Sequence, residues 1–250
     1  NALAGEERVI VSETPGTTRD SIDVRFVKDN RTLVAVDTAG VRKKSRIADD
    51  VEYYAYVRAT QAIKRADVVL CLIDATVPVG HVDKRLTKLI AVEHKPCVLV
   101  VNKWDQAKGR ASSDDYGEYL SKTLPEVDYA PVAFTSAIDG RNVDPTIDLA
   151  TELFKQSCLR VSTGRLNQVL NHAIAAYAPV RRRGRKTPKL YFVTQVAANP
   201  PTLVVFVNSA ALVSISYQRF LLNRFRESLP FGEIPIRLLF RSRHGRRPLT

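Results

Sequence analysis

The sequence predicts two domains: an α/β domain with a mostly parallel sheet covered by helices on both faces, then a smaller α+β domain of order α-β-β-α-β. Three observations carry this. Short apolar runs alternate with longer amphipathic stretches over the first 160 residues, the pattern of parallel strands joined by crossover helices. Three of the runs end abruptly in polar residues, at Asp37, Asn102 and Ser136, and the carboxyl ends of strands are where open α/β sheets hold their ligands. Composition then changes. Residues 1–159 hold 22 Lys/Arg against 24 Asp/Glu and residues 160–250 hold 16 against 2, so that −2 and +14 make up the net +12 of the chain.

The opening NALAG reads as the last turn of a helix closed by Gly5. A chain that starts at Asn1 and contains no methionine is expected to continue upstream. Arg8 to Val11 suits a short extended piece, after which Pro15 and Gly16 leave Thr17, Thr18, Arg19 and Asp20 on a loop, where two hydroxyls suit a metal-bound phosphate. The runs SIDVRFVK and RTLVAV are strands joined by a hairpin turn at Asp29-Asn30, and Ile22, Val24 and Phe26 mark a half-buried face. The second run ends in Asp37-Thr38-Ala39-Gly40. An aspartate there can hold the water shell of a magnesium ion, and Gly40 lets a backbone N–H approach a terminal phosphate.

A basic loop then becomes a helix from about Asp50, with Asp49 or Asp50 able to cap it. The buried strand Val68 to Ala75, a helix near Val82 to Glu93 and the strand from Cys97 follow. A helix from about Asp114 to Thr123 leads to the strand Pro131 to Ala137, and a helix from Val143 to Leu159 closes the domain.

The stretch CVLVVNKWD is the most informative of these. Cys97, Val98, Leu99, Val100 and Val101 make a buried strand, and polarity appears at Asn102, Lys103 and Asp105. This pattern suits guanine: a carboxylate at Asp105 accepts two hydrogen bonds from the ring N–H and exocyclic amine, the Lys103 stem lies along the base, and Asn102 ties loops together. Adenine offers no matching donor pair and leaves the buried carboxylate unpaired.

From Ser162 a helix (Gly164 to Ala178) is followed by a loop with six basic residues between Arg181 and Lys189. Strands Leu190 to Val196 and Leu203 to Val207 flank a turn at Pro200-Pro201, and a helix from Ser216 to Leu229 precedes a strand from Ile234 to Arg241. In that last strand Ile234, Ile236, Leu238 and Phe240 alternate with Pro235, Arg237 and Arg241, giving one core and one basic face. The one-sided charge calls for a large anionic partner, nucleic acid foremost, with Arg181, Arg182, Arg183, Arg185 and Lys186 as contacts. The tail from residue 242 is cationic and expected to be disordered.

Other classes are excluded or disfavoured. No run of eighteen apolar residues exists, which removes a transmembrane helix, and no signal-peptide pattern opens the chain. Cys71, Cys97 and Cys158 are odd in number and set among apolar neighbours, as core thiols of a reducing compartment are. The four histidines have no ligand spacing.

The combination of PGTTRD, DTAGV, NKWD and TSA resembles the translation-factor-like GTPases. With RVSTGRLNQVL, PPTLVVFVN, SYQRFLLNRFRE and IPIRLLFR it resembles specifically the Der, or EngA, ribosome-assembly GTPases, which carry two GTP-binding domains in tandem before a KH-like domain. The resemblance implies a P-loop GTPase-type domain over residues 1–160, a KH-like domain over 161–241 and a basic tail over 242–250, in a cytoplasmic protein that hydrolyses GTP and promotes assembly of the large ribosomal subunit. Its partners would be GTP, GDP and the subunit's RNA, with neither membrane nor DNA involved. Thr17 and Thr18 would belong to the first switch, with Thr18 in preference to Thr17 on magnesium. Asp37, Thr38, Ala39 and Gly40 would form the second switch, with Asp37 on the metal side and Gly40 at the terminal phosphate, so that Thr18 and Gly40 take the catalytic positions. Asn102, Lys103 and Asp105 would read guanine, and Ser136 and Ala137 would support it through their backbone. Val41 stands where many GTPases place a water-orienting glutamine, which in this family goes with dependence on potassium.

Two departures bear on activity. No G-x-x-x-x-G-K-S stretch occurs in these 250 residues; the loop, its lysine and the preceding strand are expected just upstream of Asn1, with a first GTP-binding domain before them. Without the loop's N–H groups and lysine the isolated chain is expected to bind nucleotide poorly and to be inactive. The basic domain has no GxxG, since Gly164, Gly184, Gly232 and Gly245 lie far apart, so it would meet RNA through phosphates rather than a KH clamp, or pack on the GTPase domain and change the exposed surface with nucleotide state. The alternative reading is a nucleotide-independent RNA-binding protein on a GTPase-like scaffold.

Overall fold

The computed structural model describes residues 9–10, 23–29, 31–36, 49–107, 112–179 and 186–243. They fall into two compact units divided after Thr151. The first begins with β1 (Val9–Ile10), β2 (Asp23–Lys28) and β3 (Arg31–Val36), an antiparallel sheet in that order. Asp29 takes a φ of 50° in the predicted hairpin turn, a left-handed conformation that aspartate tolerates better than most residues. At the end of β2 the Lys28 ammonium reaches the Asp148 carboxylate at 2.7 Å and donates to the Asp144 carbonyl at 2.8 Å.

The helix α1 (Asp49–Arg65) starts with Asp49 and Asp50 in its first turn. Next come β4 (Val69–Asp74), α2 (His81–Val92), β5 (Cys97–Asn102), the short α3 (Trp104–Ala107), α4 (Ser113–Thr123), β6 (Val132–Phe134) and α5 (Val143–Cys158), within which the division between the units falls. β4, β5 and β6 are parallel with β5 central. Every residue from Cys97 to Val101 is buried, so both faces of β5 are covered. At ~1.5–3 kcal/mol for each large side chain taken from water, this strand is the anchor of the unit. Cys97, Leu99 and Val101 pack with Ile63 of α1, Cys71 and Ile73 of β4, Ile90 of α2 and Leu120 of α4.

Some sequence expectations need correction here. β4 is half-buried: Cys71 and Ile73 face the core but Leu72, which points to the opposite face, is 62% exposed. β6 holds only three residues, its last predicted positions belonging to a loop. Cys71 and Cys97 are core thiols, and burial pushes the Cys97 thiol up, whereas Cys158 is exposed at the end of α5.

The second unit contains α6 (Thr163–Ala176), β7 (Leu190–Ala197), β8 (Thr202–Val207), α7 (Ile215–Ser228) and β9 (Arg237–Ser242), the predicted α-β-β-α-β. Serine N-caps start both helices, Ser162 accepting from the Arg165 N–H and Ser214 from the Tyr217 N–H. β8 is central, antiparallel to β7 and parallel to β9. Its Leu203, Val205 and Val207 are buried with Val193 of β7, as are Leu166 and Leu170 of α6 and Leu221 and Phe225 of α7. Two side-chain amides lie along β7. The Asn167 amide accepts from the Val193 N–H at 2.9 Å and donates to the Val193 carbonyl at 3.0 Å; the Gln195 amide accepts from the Val161 N–H and donates to the Leu159 carbonyl. The β7–β8 turn contains a cis Asn199-Pro200 bond. The closing strand departs from its predicted start: Ile234, Pro235 and Ile236 are all buried, and alternation sets in only at Arg237. From there Arg237 and Arg241 are exposed and Leu238 and Phe240 half-buried, as the alternation requires.

Candidate functional site

The parallel register sets Asp74 beside Asn102, and Val101 beside Phe134, so the carboxyl ends of β4, β5 and β6 open on one edge of the first unit. Asn102 joins two of them. Its side-chain carbonyl accepts from the Ala137 N–H at 3.0 Å and from the Thr135 hydroxyl at 3.3 Å, which is the loop-tying role predicted for it. The following loop is closed on itself: Ser136 and Arg141 exchange backbone hydrogen bonds of 3.2 and 3.0 Å, the Ser136 hydroxyl donates to Asp139, and the Asn142 side chain donates to the Phe134 carbonyl. Gly140 at φ 69° and Asn142 at φ 57° supply the left-handed turns such a loop needs.

Lys103 leaves the strand with φ at 61°, a conformation that costs an L-residue about 1–2 kcal/mol. The ion pair of its ammonium with Asp74, at 2.8 Å, works against that cost. Asp74 is itself fixed, since its other oxygen accepts from the Thr76 N–H at 2.9 Å and the Thr76 hydroxyl at 2.6 Å. Lys103 first, and Thr76 after it, hold the Asp74 carboxyl down at about 2. The lysine is therefore aimed by a second residue before any ligand arrives.

Immediately beyond, α3 carries Asp105 in its first turn. The helix is tied down by the Trp104 N–H, which donates to the Thr135 carbonyl at 3.0 Å, and by the Trp104 ring, which packs tilted on Phe134 at 4.4 Å and edge-on to Tyr116 at 5.5 Å. Asp105 is exposed, where a buried carboxylate was expected. The penalty for a base without donors then arises only once the base covers the carboxylate and strips its water.

The structure thus brings Asn102, Lys103, Asp105, Ser136 and Ala137 together. Ser136 is buried and its N–H is given to Arg141, while the Ala137 N–H is given to Asn102, so these two backbone groups hold the site's wall. Thr17, Thr18, Asp37, Thr38, Ala39, Gly40 and Val41 lie outside the described residues, as do Gly5, Arg181, Arg182, Arg183 and Arg185. Lys186 is described and exposed. Sequence reading missed Asp74 and Ile138. Asp74 carried the signal used for Asn102, polarity at the end of an apolar run. Ile138, 86% exposed beside Ala137, is an uncovered apolar group at the lip of the site and carries no pattern that singles it out. Among the described residues no cluster of His, Cys, Asp and Glu could hold a metal ion, and no helix is long and apolar enough to cross a membrane.

A parallel sheet whose strand ends present this polar set, followed by a mixed-sheet α+β unit, defines a GTPase-type domain joined to a KH-like domain. Comparison with known proteins agrees: residues 1–103 match the family described as 50S ribosome-binding GTPase, and residues 160–241 match the KH-domain-like family of EngA bacterial GTPase enzymes, C-terminal. GTPase Der of Rhodopirellula baltica is 43% identical over 97% of this chain and 53% of its own length, and GTPase Der of Desulforudis audaxviator 41% over 98% and 56%. Over nearly its whole length the chain is similar to the Der (EngA) GTPases, and it spans about half the length of the curated relatives it matches. Among solved structures, Era in complex with MgGDPNP and nucleotides 1506–1542 of 16S ribosomal RNA aligns with 96% of this chain and 86% of its own, at 22% identity and a TM-score of 0.47.

Proposed function

We propose that this chain supplies the guanine-reading and RNA-contacting parts of a GTP-hydrolysing switch that promotes assembly of the large ribosomal subunit in the cytoplasm. The observation that carries it is the strand-end corner in which Asn102 ties the 135–137 loop, Asp74 holds Lys103, and Asp105 stands exposed on α3. Asp105 takes the two guanine donors and Lys103 lies along the base. The G domain runs over 1–160 and the KH-like domain over 161–241, whose basic run from Arg181 to Lys186 meets RNA phosphates. Mg2+ would be held by Thr18 and Asp37, with Thr17, Thr38 and Ala39 lining the phosphates and Gly40 at the terminal one. With Val41 in place of a polar side chain, the positive charge that hydrolysis needs would come from K+.

Titration calorimetry of GDP and ADP, in potassium and in sodium, tests this on the chain alone and on the chain extended by a G-x-x-x-x-G-K-S loop. The proposal expects GDP to bind only the extended chain, and ADP neither. Silence of both nucleotides toward the extended chain would refute the proposal and leave the alternative, a nucleotide-independent RNA-binding protein, in its place.

A further inference from the structure

The KH-like sheet has a second face. Val193 and Val205, partners in register, are buried toward the helical side, so the neighbouring partners Phe192 and Phe206 point the opposite way. Their rings stack at 4.4 Å with planes only 15° apart, and Phe192 is 37% exposed. Across β8, Phe206 has Arg241 as its register partner, and Val204 has Leu239, which is 40% exposed. Arg237 completes this row of β9 and is exposed. A bulge between Leu190 and Phe192 frees Tyr191 from the ladder, and the Arg243 guanidinium lies 5.8 Å from its ring centre.

No described acid of the second unit neutralises these arginines. Glu227 pairs with Arg224, Glu152 with Lys155, and Glu233 accepts from Gln156. The face that the Phe192 ring turns away from Phe206, with uncompensated guanidinium groups on the same side of the sheet, suits one class of ligand: an unpaired base stacks on the ring while the adjacent phosphates meet the arginines. Duplex RNA keeps its bases inside and can offer this face only phosphates.

We propose that the outer face of the β7-β8-β9 sheet is a platform for single-stranded RNA, with Phe192, backed by Phe206, stacking a base and Arg237 and Arg241 on the flanking phosphates. It rests on the reading that this domain contacts RNA, and adds to the basic run a site that distinguishes unpaired from paired RNA.

The test uses the full chain, a fluorescent ten-nucleotide single-stranded RNA and a duplex of equal charge, across a salt series. Phe192→Leu is expected to weaken single-strand binding about tenfold without changing its salt slope or the duplex affinity. Phe192→Tyr retains binding, and a 2-aminopurine reporter quenched by the native chain stays bright with Phe192→Leu. Unchanged urea midpoints establish that the variants fold; if Phe192→Leu unfolds, quenching of the 2-aminopurine reporter by the native chain in the single strand and not in the duplex carries the same test. Native-like single-strand binding by folded Phe192→Leu overturns the platform alone. No RNA binding by the native chain overturns the RNA reading beneath it. If the native chain self-associates in sedimentation and Phe192→Leu abolishes this while leaving RNA binding intact, the face is a protein interface and the platform is overturned.

Discussion

Asp74→Asn isolates the residue that holds the guanine-reading lysine. The substitution keeps an oxygen for Thr76 but removes the charge that faces Lys103 at 2.8 Å. A carboxyl held at about 2 against an ordinary 3.8 caps its contribution to stability at ~2.5 kcal/mol. Solvent lowers that figure, because the Lys103 side chain is 49% exposed, and about 1 kcal/mol is expected at low salt. The sign follows from the direction of the shift: the contribution is complete above pH ~4–5 and is lost as pH falls through about 2. Trp104 is the only tryptophan of the chain and adjoins Lys103, so its fluorescence in urea unfolding reports on this unit separately. The variant should lose about 1 kcal/mol at pH 7, less in high salt, and only a small fraction of that at pH 2, where the native carboxyl is about half protonated. In a cycle with Lys103→Met the two losses should couple by about the same amount. A loss that persists undiminished at pH 2, or no coupling to Lys103, would refute the assignment.

Three further outcomes are expected. Asp105→Asn in the loop-extended chain should lower GDP affinity at least about a hundredfold and shift preference toward xanthine nucleotides, as calorimetry would read; unchanged guanine preference removes Asp105 from base recognition. Asn102→Ala should cost about 0.5–1.5 kcal/mol, since it removes the bonds to the Ala137 N–H and the Thr135 hydroxyl, and should increase hydrogen exchange at Ala137; an unaltered exchange rate contradicts the tie. With a thiol reagent Cys158 should react in the native chain and Cys71 and Cys97 only on unfolding, counted by mass spectrometry.

Local chemistry decides the features that are legible in the sequence. The run Cys97–Val101 is too apolar to lie anywhere but a core, and Asn102 had to emerge at its end. Other features depend on partners distant in the chain. Nothing near Asp74 announces that Lys103, 29 residues on, will lean on it, and the left-handed turn at Lys103 is set by where the packing of Trp104 places α3. Leu72 reads as core because its sequence neighbours are; its exposure follows from the face of the sheet to which it points. Pro235 broke the expected alternation because burial before β9 comes from packing rather than strand period. Asp105 was expected to be buried because guanine reading implies a carboxylate shielded from water, and that shield is the base itself.

The amides of Asn167 and Gln195 give the KH-like unit a property that neither its core nor its charge supplies. The N–H and C=O of Val193 point away from β8, along the margin of the sheet, and Asn167 answers both with one side chain. Gln195 brings the 159–161 segment to the same margin. Together they act as a counterfeit fourth strand, one that satisfies the backbone but offers no new row of donors and acceptors to the next chain. Copies of this domain can therefore be crowded together without zipping edge to edge through β7, while the arginines on β9 stay free to meet an anionic surface.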